Sequence, residues 1–252
     1  MNHSSKIALV TGAGSGIGAA CAQALLLEGW QVVFTGRRAE ALQAAIAGAG
    51  DAAPRGHAIA ADVGDEDSVA ALFEQVRQRF GRLDLLFNNA GISLPAQTPD
   101  ELSAADWRRA VDTNLNGAFF CLSQAFKLMR HQAPQGGRII NNGSISAHVP
   151  RPGSIAYTAT KHAISGLTRT ASLDGRNFDI AVGQIDIGNV ASDMTEKMAK
   201  GVLQADGSVR AEARMDMSAV VETFMAMARL PLSANVLFTT VMATRMPFVG
   251  RG

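Results

Sequence analysis

Short apolar runs alternate with amphipathic segments along most of the chain, and this alternation constrains the fold more than any other feature. The runs are rich in β-branched residues, which is typical of buried strands, whereas the segments between them have helical periodicity. Strands that are apolar on both faces predict a parallel sheet that is covered by helices on each side. We therefore expect an α/β fold built on a doubly wound parallel sheet.

The sequence pattern predicts about seven strands and no internal linker. The predicted strands are 6–10, 31–36, 57–62, 83–88, 138–142, 180–187 and 236–244, and the predicted helices are 17–29, 39–47, 65–80, 104–130 and 155–177. No stretch rich in proline and glycine and no run of charges interrupts this series. We expect residues 1–252 to form a single domain.

Composition excludes several classes of function. The formal net charge is +1, with 23 basic and 22 acidic residues, which favours neither a nucleic acid nor an anionic membrane as partner. The two cysteines, Cys21 and Cys121, form no C-x-x-C pair, and the five histidines lack metal-ligand spacing. We expect no metal, no membrane segment, no signal peptide and a cytoplasmic location.

A glycine-rich turn, T-G-A-G-S-G-I-G, follows the first predicted strand and opens the first predicted helix. Glycines there let the backbone approach a ligand closely, and the N–H groups at the start of a helix suit a pyrophosphate. This placement predicts a Rossmann-like dinucleotide site, although such a turn can also serve chain reversal alone. The candidate contacts are Gly12, Ser15, Gly16, Ile17 and Gly18.

The second predicted strand ends in Gly36-Arg37-Arg38, with no acidic residue. In a dinucleotide fold this position faces the adenosine ribose, where a carboxylate accepts from the 2′-OH of NAD. A guanidinium can instead bind a 2′-phosphate through two hydrogen bonds. We therefore predict NADP(H) in preference to NAD(H), the alternative being that Arg37 and Arg38 are solvated surface charges.

The segment Y-T-A-T-K contains Tyr157, the only tyrosine of the chain, and Lys161. Positions i and i+4 share one helix face, so the phenol and the ammonium lie near each other. A neighbouring cation favours the phenolate, which suits general acid–base catalysis. Ser144 closes the fifth strand, where its hydroxyl can donate to a substrate oxygen. The alternative is an exposed helix face and a turn serine.

Taken in order, these motifs resemble the short-chain dehydrogenase/reductase family, in its compact branch. The matching segments are the glycine turn at Thr11, D-V at Asp62, N-N-A-G at Asn88, D-T-N-L-N-G around Asn114, N-G-S-I-S-A around Ser144, and Y-T-A-T-K. The resemblance implies that the catalytic set is Asn114, Ser144, Tyr157 and Lys161. It implies cofactor contacts from Asp62, Val63, Asn89, Ala90, Gly91, Tyr157 and Lys161, and a homotetramer or homodimer.

The chain departs from the family pattern after the sixth predicted strand. The family has P-G-x-x-x-T there, whereas this chain has Ile187-Gly188-Asn189-Val190-Ala191-Ser192, and Gly183 stands where asparagine is common. By resemblance, Gly188, Val190 and Ser192 contact the cofactor, and residues 189–217 form a substrate lid. The lid contains Met194, Met198, Met215 and Met217, either as an adaptable apolar wall or as packing residues.

We expect a small-molecule substrate. Its pocket is predicted to include Ser144 and Tyr157 together with Leu94 and His148. The alternative for His148 is an ordinary loop residue. The leading hypothesis is an NADP(H)-dependent oxidoreductase that transfers a hydride between the nicotinamide and a ketone or secondary alcohol. The alternatives are an NAD-linked alcohol dehydrogenase and a dinucleotide-binding sensor without chemistry. The apolar Met246 and Phe248 near the C-terminus suggest a tail that docks on a neighbouring subunit.

Overall fold

A seven-stranded parallel sheet lies at the centre of the computed structural model, which describes residues 5–192 and 201–249. The strands are β1 Ile7–Thr11, β2 Gln31–Gly36, β3 Gly56–Ala60, β4 Leu85–Asn88, β5 Gly137–Asn142, β6 Ile180–Ile187 and β9 Phe238–Val241. They are ordered β3-β2-β1-β4-β5-β6-β9, and each neighbouring pair is parallel. The predicted fold class is confirmed. The order reverses between β1 and β4, where open α/β sheets bind ligands.

Seven α-helices cover the two faces of the sheet in the described residues. They are α1 Gly16–Leu27, α2 Ala39–Ala47, α3 Glu66–Phe80, α4 Ala104–Val111, α5 Gly117–His131, α6 Ile155–Asp174 and α7 Met217–Arg229. Side chains alternate along β1, so Ala8 and Val10 join the core under α1, α2 and α7, while Ile7 and Leu9 join the core under α3 and α5. This two-sided burial explains why the strands are mostly apolar on both faces.

Two helical predictions differ from the structure at particular points. The expected continuous helix 104–130 contains a π-helical turn, Asp112–Asn116, between α4 and α5. The expected helix 155–177 is α-helical to Asp174 and then tightens into a 3₁₀ turn, Gly175–Phe178. A π-helical turn adds a residue inside a helix, and hydrophobic periodicity alone does not reveal it.

The C-terminal strand is present but shorter than the predicted 236–244: β9 covers Phe238–Val241. Gly183 on β6 is explained here, since a Cβ at this position would overlap the Val236 carbonyl oxygen. The tail packs on its own chain: Met246 is buried in a cluster with Ile145 and Ala243. This contact leaves Met246 unavailable for the expected docking on another subunit.

The predicted lid is partly described. Met194 and Met198 lie outside the described residues. Within the described part, β7 Val202–Leu203 and β8 Val209–Arg210 form an antiparallel pair that the sequence pattern did not predict. Met215, and Met217 at the start of α7, pack against the core, so these two residues follow the alternative in which the methionines are packing residues. No described helix is long and apolar enough to cross a membrane.

Candidate active site

The glycine turn joins β1 to α1 with the backbone geometry that glycine permits. Gly12 and Gly16 have φ values of +66° and +55°, in the left-handed region that other residues rarely adopt. A Cβ at Gly18 would overlap the Gly12 carbonyl oxygen and lie 2.6 Å from Asn89 Nδ2. The turn therefore presents backbone rather than side chains at the N-terminus of α1, where anions bind favourably.

The cleft beside this turn reaches from the carboxyl ends of β1 and β2, past those of β3 and β4, to the π-helical turn before α5. Its lining is Gly12, Gly14, Ser15, Gly36, Arg37, Arg38, Ala41, Leu42, Ala61, Asp62, Val63, Ala90, Gly91, Ile92 and Thr113. Predicted cofactor residues from the four loops after β1, β2, β3 and β4 thus meet in one cleft, whereas Gly16, Ile17, Gly18 and Asn89 are not among its lining residues. Arg37 and Arg38 are exposed at its rim, and no acidic side chain of β2 opposes them. Thr113 was not predicted, because it lies in the π-helical turn.

The N-N-A-G segment is held to the end of β1 by Thr11, which is fully buried. Thr11 Oγ1 accepts from the backbone N–H groups of Asn89 and Ala90, at 2.8 and 2.9 Å. Asn89 Nδ2 donates to the Thr11 carbonyl oxygen at 2.9 Å. These bonds place the backbone of Ala90 and Gly91 on the cleft wall.

Asn114 lies in the π-helical turn and is 2% exposed. Its amide group pairs with the backbone of Ile92, accepting from the N–H at 2.7 Å and donating to the carbonyl oxygen at 2.9 Å. Its Nδ2 also lies 3.4 Å from Thr160 Oγ1, and Thr160 in turn donates to the Tyr157 carbonyl oxygen at 2.9 Å. Asn114 therefore connects the loop after β4 to the helix that carries Tyr157.

Tyr157 and Lys161 lie one turn apart on α6, as their spacing predicts. Lys161 Nζ lies 5.5 Å from the centre of the Tyr157 ring and donates to the Asn142 carbonyl oxygen at 2.7 Å. Lys161 is 5% exposed, so its ammonium is largely removed from water. A buried cation beside a phenol interacts with it more strongly than an exposed one would.

Ser144 follows β5 and caps a short 3₁₀ turn, Ile145–Ala147, by accepting from Ser146 N at 3.1 Å. Its own N–H donates to Asp186 Oδ1 at 3.0 Å. Ser144 lies two residues beyond Asn142, the residue that binds Lys161. The carboxyl ends of β4, β5 and β6 thus bring Asn114, Ser144 and the Tyr157–Lys161 pair to one edge of the sheet.

The loop after β6 lies under the C-terminal tail. A Cβ at Gly188 would come within 2.7 Å of Met246 Sδ and of Met242 Cβ, so glycine is needed for this packing. Val190 is buried and forms an isolated β-bridge with Met215, whereas Ser192 is half-buried. None of Gly188, Val190 and Ser192 is among the residues that line the cleft described above.

The other two predicted substrate residues, Leu94 and His148, lie in different environments. Leu94 is half-buried in the loop between β4 and α4. His148 is 41% exposed at its side chain, and its Nε2 lies 2.7 Å from Asp186 Oδ2. His148 is the C-cap of the turn that Ser144 begins.

The chain matches a family model and many known proteins. A model of the short chain dehydrogenase family matches residues 6–202. The chain belongs to this family. Like its relatives, it is an oxidoreductase that acts on CH–OH and C=O groups, and the motifs of the glycine turn and the Tyr157 helix fall inside the matched segment.

Individual relatives in this family have different substrates. A 3beta-hydroxysteroid dehydrogenase from Mediterraneibacter gnavus is 37% identical over 209 residues, which is 83% of this chain and 75% of that protein. The structure of 3-ketoacyl-(acyl-carrier-protein) reductase from Brucella melitensis complexed with NADH has a TM-score of 0.83 and 25% identity, covering 95% of this chain and 98% of the other. An alcohol dehydrogenase from Thermococcus sibiricus complexed with 5-hydroxy-NADP has the same fold, with a TM-score of 0.82, 22% identity and coverage of 96% and 97%.

Sequence reasoning missed the polar side chains behind Ser144. Asp186 and Gln184 occupy alternate positions of a strand in which every residue is buried. Gln184 Nε2 donates to Asp186 Oδ1 at 2.7 Å and to Ser165 Oγ at 3.0 Å. The signal that could have found them is a carboxylate and an amide inside an apolar run, because buried polar groups require partners.

Proposed function

We propose that this chain is an NADP(H)-dependent oxidoreductase that interconverts a ketone and a secondary alcohol, with Tyr157 as the general acid and base. The observation that carries this proposal is the position of Lys161. Its ammonium is buried, held by the Asn142 carbonyl oxygen at 2.7 Å and placed 5.5 Å from the Tyr157 ring centre. A buried ammonium at the carboxyl ends of the strands can polarise a neighbouring phenol, which suits acid–base catalysis.

The glycine turn fits a nicotinamide dinucleotide. Gly18 has no room for a side chain, and Gly12 and Gly16 adopt positive φ, so a pyrophosphate can approach the backbone at the start of α1. We assign the contacts to Gly12, Ser15, Gly16, Ile17, Gly18, Asp62, Val63, Asn89, Ala90 and Gly91. We also assign Gly188, Val190 and Ser192 to the nicotinamide end of the cofactor.

The preference for NADP(H) rests on the rim of the cleft. Arg37 and Arg38 are exposed beside Gly36 at the end of β2, and the cleft lining contains both. Their guanidinium groups favour a 2′-phosphate, and the carboxylate that would favour a 2′-hydroxyl is missing from β2. NAD(H) is the second candidate, because the structure of the Brucella relative contains NADH.

The chain's own residues supply the proton chemistry. A nicotinamide dinucleotide held at the glycine turn would supply or accept the hydride. Tyr157 donates a proton to the carbonyl oxygen during reduction or removes it from the hydroxyl during oxidation. Ser144 donates a hydrogen bond to the same oxygen as negative charge builds on it. Lys161 places its ammonium beside the Tyr157 ring, and Asn114 fixes the loop at Ile92 beside α6.

Leu94 and His148 are assigned to the substrate side of the site, opposite the dinucleotide. We further propose a single domain over residues 1–252, a lid at about residues 189–217, a homotetramer or homodimer, and a cytoplasmic location. These proposals follow the pattern of the family and the composition of the chain.

The test is nicotinamide absorbance against time, with NADPH and then NADH, over a panel of ketones, quinones, oxo-thioesters and sugars. Tyr157→Phe is assayed beside the wild type. Oxidation of NADPH by the wild type and its loss in the variant would support the assignment. Full turnover by Tyr157→Phe would refute the role of Tyr157, and tight NADPH binding without turnover on any substrate would favour a non-catalytic sensor.

A further inference from the structure

Asp186 is a buried carboxylate on β6, a strand of mostly apolar residues. Its side chain is 1% exposed, near the carboxyl end of β6. Oδ1 accepts from Ser144 N at 3.0 Å and from Gln184 Nε2 at 2.7 Å, and Oδ2 lies 2.7 Å from His148 Nε2. Burying a carboxylate is costly unless its oxygens are hydrogen-bonded, and here both oxygens have partners.

These contacts hold both ends of one turn. Ser144 is the N-cap of the 3₁₀ turn Ile145–Ala147, and His148 is its C-cap. One carboxylate therefore fixes the residue that begins the turn and the residue that ends it. A three-residue turn has little rigidity of its own, so its orientation depends on such anchors.

The chain makes room for this carboxylate at a second position. A Cβ at Gly143 would overlap Asp186 Oδ1 and come within 2.6 Å of Gln184 Nε2. The φ of Gly143 lies outside the left-handed region, so its lack of a side chain matters for space rather than for backbone conformation. The glycine before Ser144 and the aspartate on β6 thus form a complementary pair.

The carboxylate also determines which nitrogen of His148 carries a proton. An ionised Asp186 has acceptors only, so His148 Nε2 must donate. His148 is therefore held at Nε2, while its side chain as a whole stays 41% exposed.

We propose that Asp186 is a positioning residue that orients the Ser144 turn and His148 toward the substrate. The inference rests on the proposed function, since it gives Asp186 a role through the Ser144 hydroxyl. Its consequence is that the geometry at the substrate oxygen depends on a carboxylate that does not itself touch substrate or dinucleotide.

The decisive variant is Asp186→Asn, with Asp179→Asn at the opposite end of β6 as the matched control. We expect kcat to fall about 10- to 100-fold for Asp186→Asn, by comparison with the ~10²–10³-fold loss of a single oxyanion donor. NADPH affinity and the thermal midpoint should stay close to those of Asp179→Asn. Equal kcat values for the two variants would overturn the proposal.

A double-mutant cycle with Ser144→Ala separates positioning from general damage to the fold. If Asp186 acts through the Ser144 hydroxyl, most of its effect on kcat should disappear once that hydroxyl is absent. The same fold-loss in both backgrounds would overturn the proposal. If Tyr157→Phe retains turnover, the proposed function itself is refuted. That result does not depend on the double-mutant cycle, so the two failures are distinguishable.

Nitrogen NMR of histidine-labelled wild-type protein gives a readout that requires neither turnover nor folding of Asp186→Asn. We expect the His148 ring, assigned with His148→Gln, to be protonated at Nε2 in its neutral form. An Nδ1–H tautomer would overturn the proposal, because it is incompatible with donation to the carboxylate. His162, which is exposed and bonded to the Thr158 carbonyl oxygen through Nδ1, provides an internal comparison.

Discussion

One end of the candidate site, at the carboxyl ends of β1 and β2, presents backbone and exposed arginines, whereas the other end, at the carboxyl ends of β5 and β6, presents buried polar side chains. At the first end, Gly12, Gly16 and Gly18 keep side chains away from the turn. At the second, Lys161 and Asp186 are nearly buried and each is held by hydrogen bonds.

This difference separates two physical problems. Binding a large anion needs accessible N–H groups and space, which a local glycine turn supplies. Moving a proton needs charged groups fixed at short range, which requires partners from several strands and helices. We therefore expect substitutions at the first end to act on dinucleotide affinity and substitutions at the second end to act on turnover.

Lys161→Met should have the largest effect. Removing the ammonium leaves the Tyr157 phenol without its cation, so we expect turnover to fall roughly 10²- to 10⁴-fold, the usual contribution of acid–base catalysis. Steady-state rates, with circular dichroism to verify folding, test this expectation. Lys127→Met, an exposed position on α5, is the control and should keep wild-type rates. Comparable rates for both variants would show that Lys161 is structural.

Gly18→Ala should weaken dinucleotide binding and lower the free energy of unfolding. The added Cβ overlaps the Gly12 carbonyl oxygen, and such overpacking costs about 1–3 kcal/mol. Fluorescence titration with NADPH and urea denaturation measure the two effects. Gly166→Ala on α6 has no atom within 4 Å of its new Cβ and should stabilise the protein by about 0.5–1 kcal/mol. Unchanged affinity in Gly18→Ala would break the assignment of the glycine turn.

Arg37→Asp should discriminate between the two cofactors. Loss of one charge-assisted hydrogen bond, worth ~1.5–3 kcal/mol, is expected to lower NADPH affinity roughly 10- to 100-fold and to change NADH affinity little. Titrations with both dinucleotides measure this, with Arg108→Asp on α4 as an exposed control. Equal weakening of both cofactors would contradict a 2′-phosphate contact.

His57 should have the smallest effect, on stability rather than turnover. The pKa of His57 is lowered in the folded protein, mainly by burial and to a smaller extent by the positive charge of Arg79. The unfolded chain therefore binds this proton first, and the free energy of unfolding should decrease as the pH falls below about 6.5. Denaturation at pH 7.5 and 5.5 should show a smaller decrease in His57→Gln than in the wild type. A change in turnover of this variant at pH 7.5 would contradict its place outside the cleft.

The sequence predicted the features that depend on local pattern. Periodicity was sufficient for the seven-stranded sheet, and the glycine pattern was sufficient to predict a tight turn between β1 and α1, because both are properties of neighbouring residues. The π-helical turn at Asn114 and the β7–β8 pair carry no comparable signal. Nor does the match between Gly143 and Asp186, since two residues far apart in the chain become complementary only when β5 and β6 pair.

The most direct test of this separation between dinucleotide binding and proton transfer is to measure turnover and NADPH affinity on one preparation of Tyr157→Phe. The account predicts that turnover falls roughly 10²- to 10⁴-fold, as for loss of an acid–base group, while the NADPH dissociation constant stays within about threefold of the wild type. Retained turnover with normal NADPH binding would contradict it, because the proton would then have to come from another group.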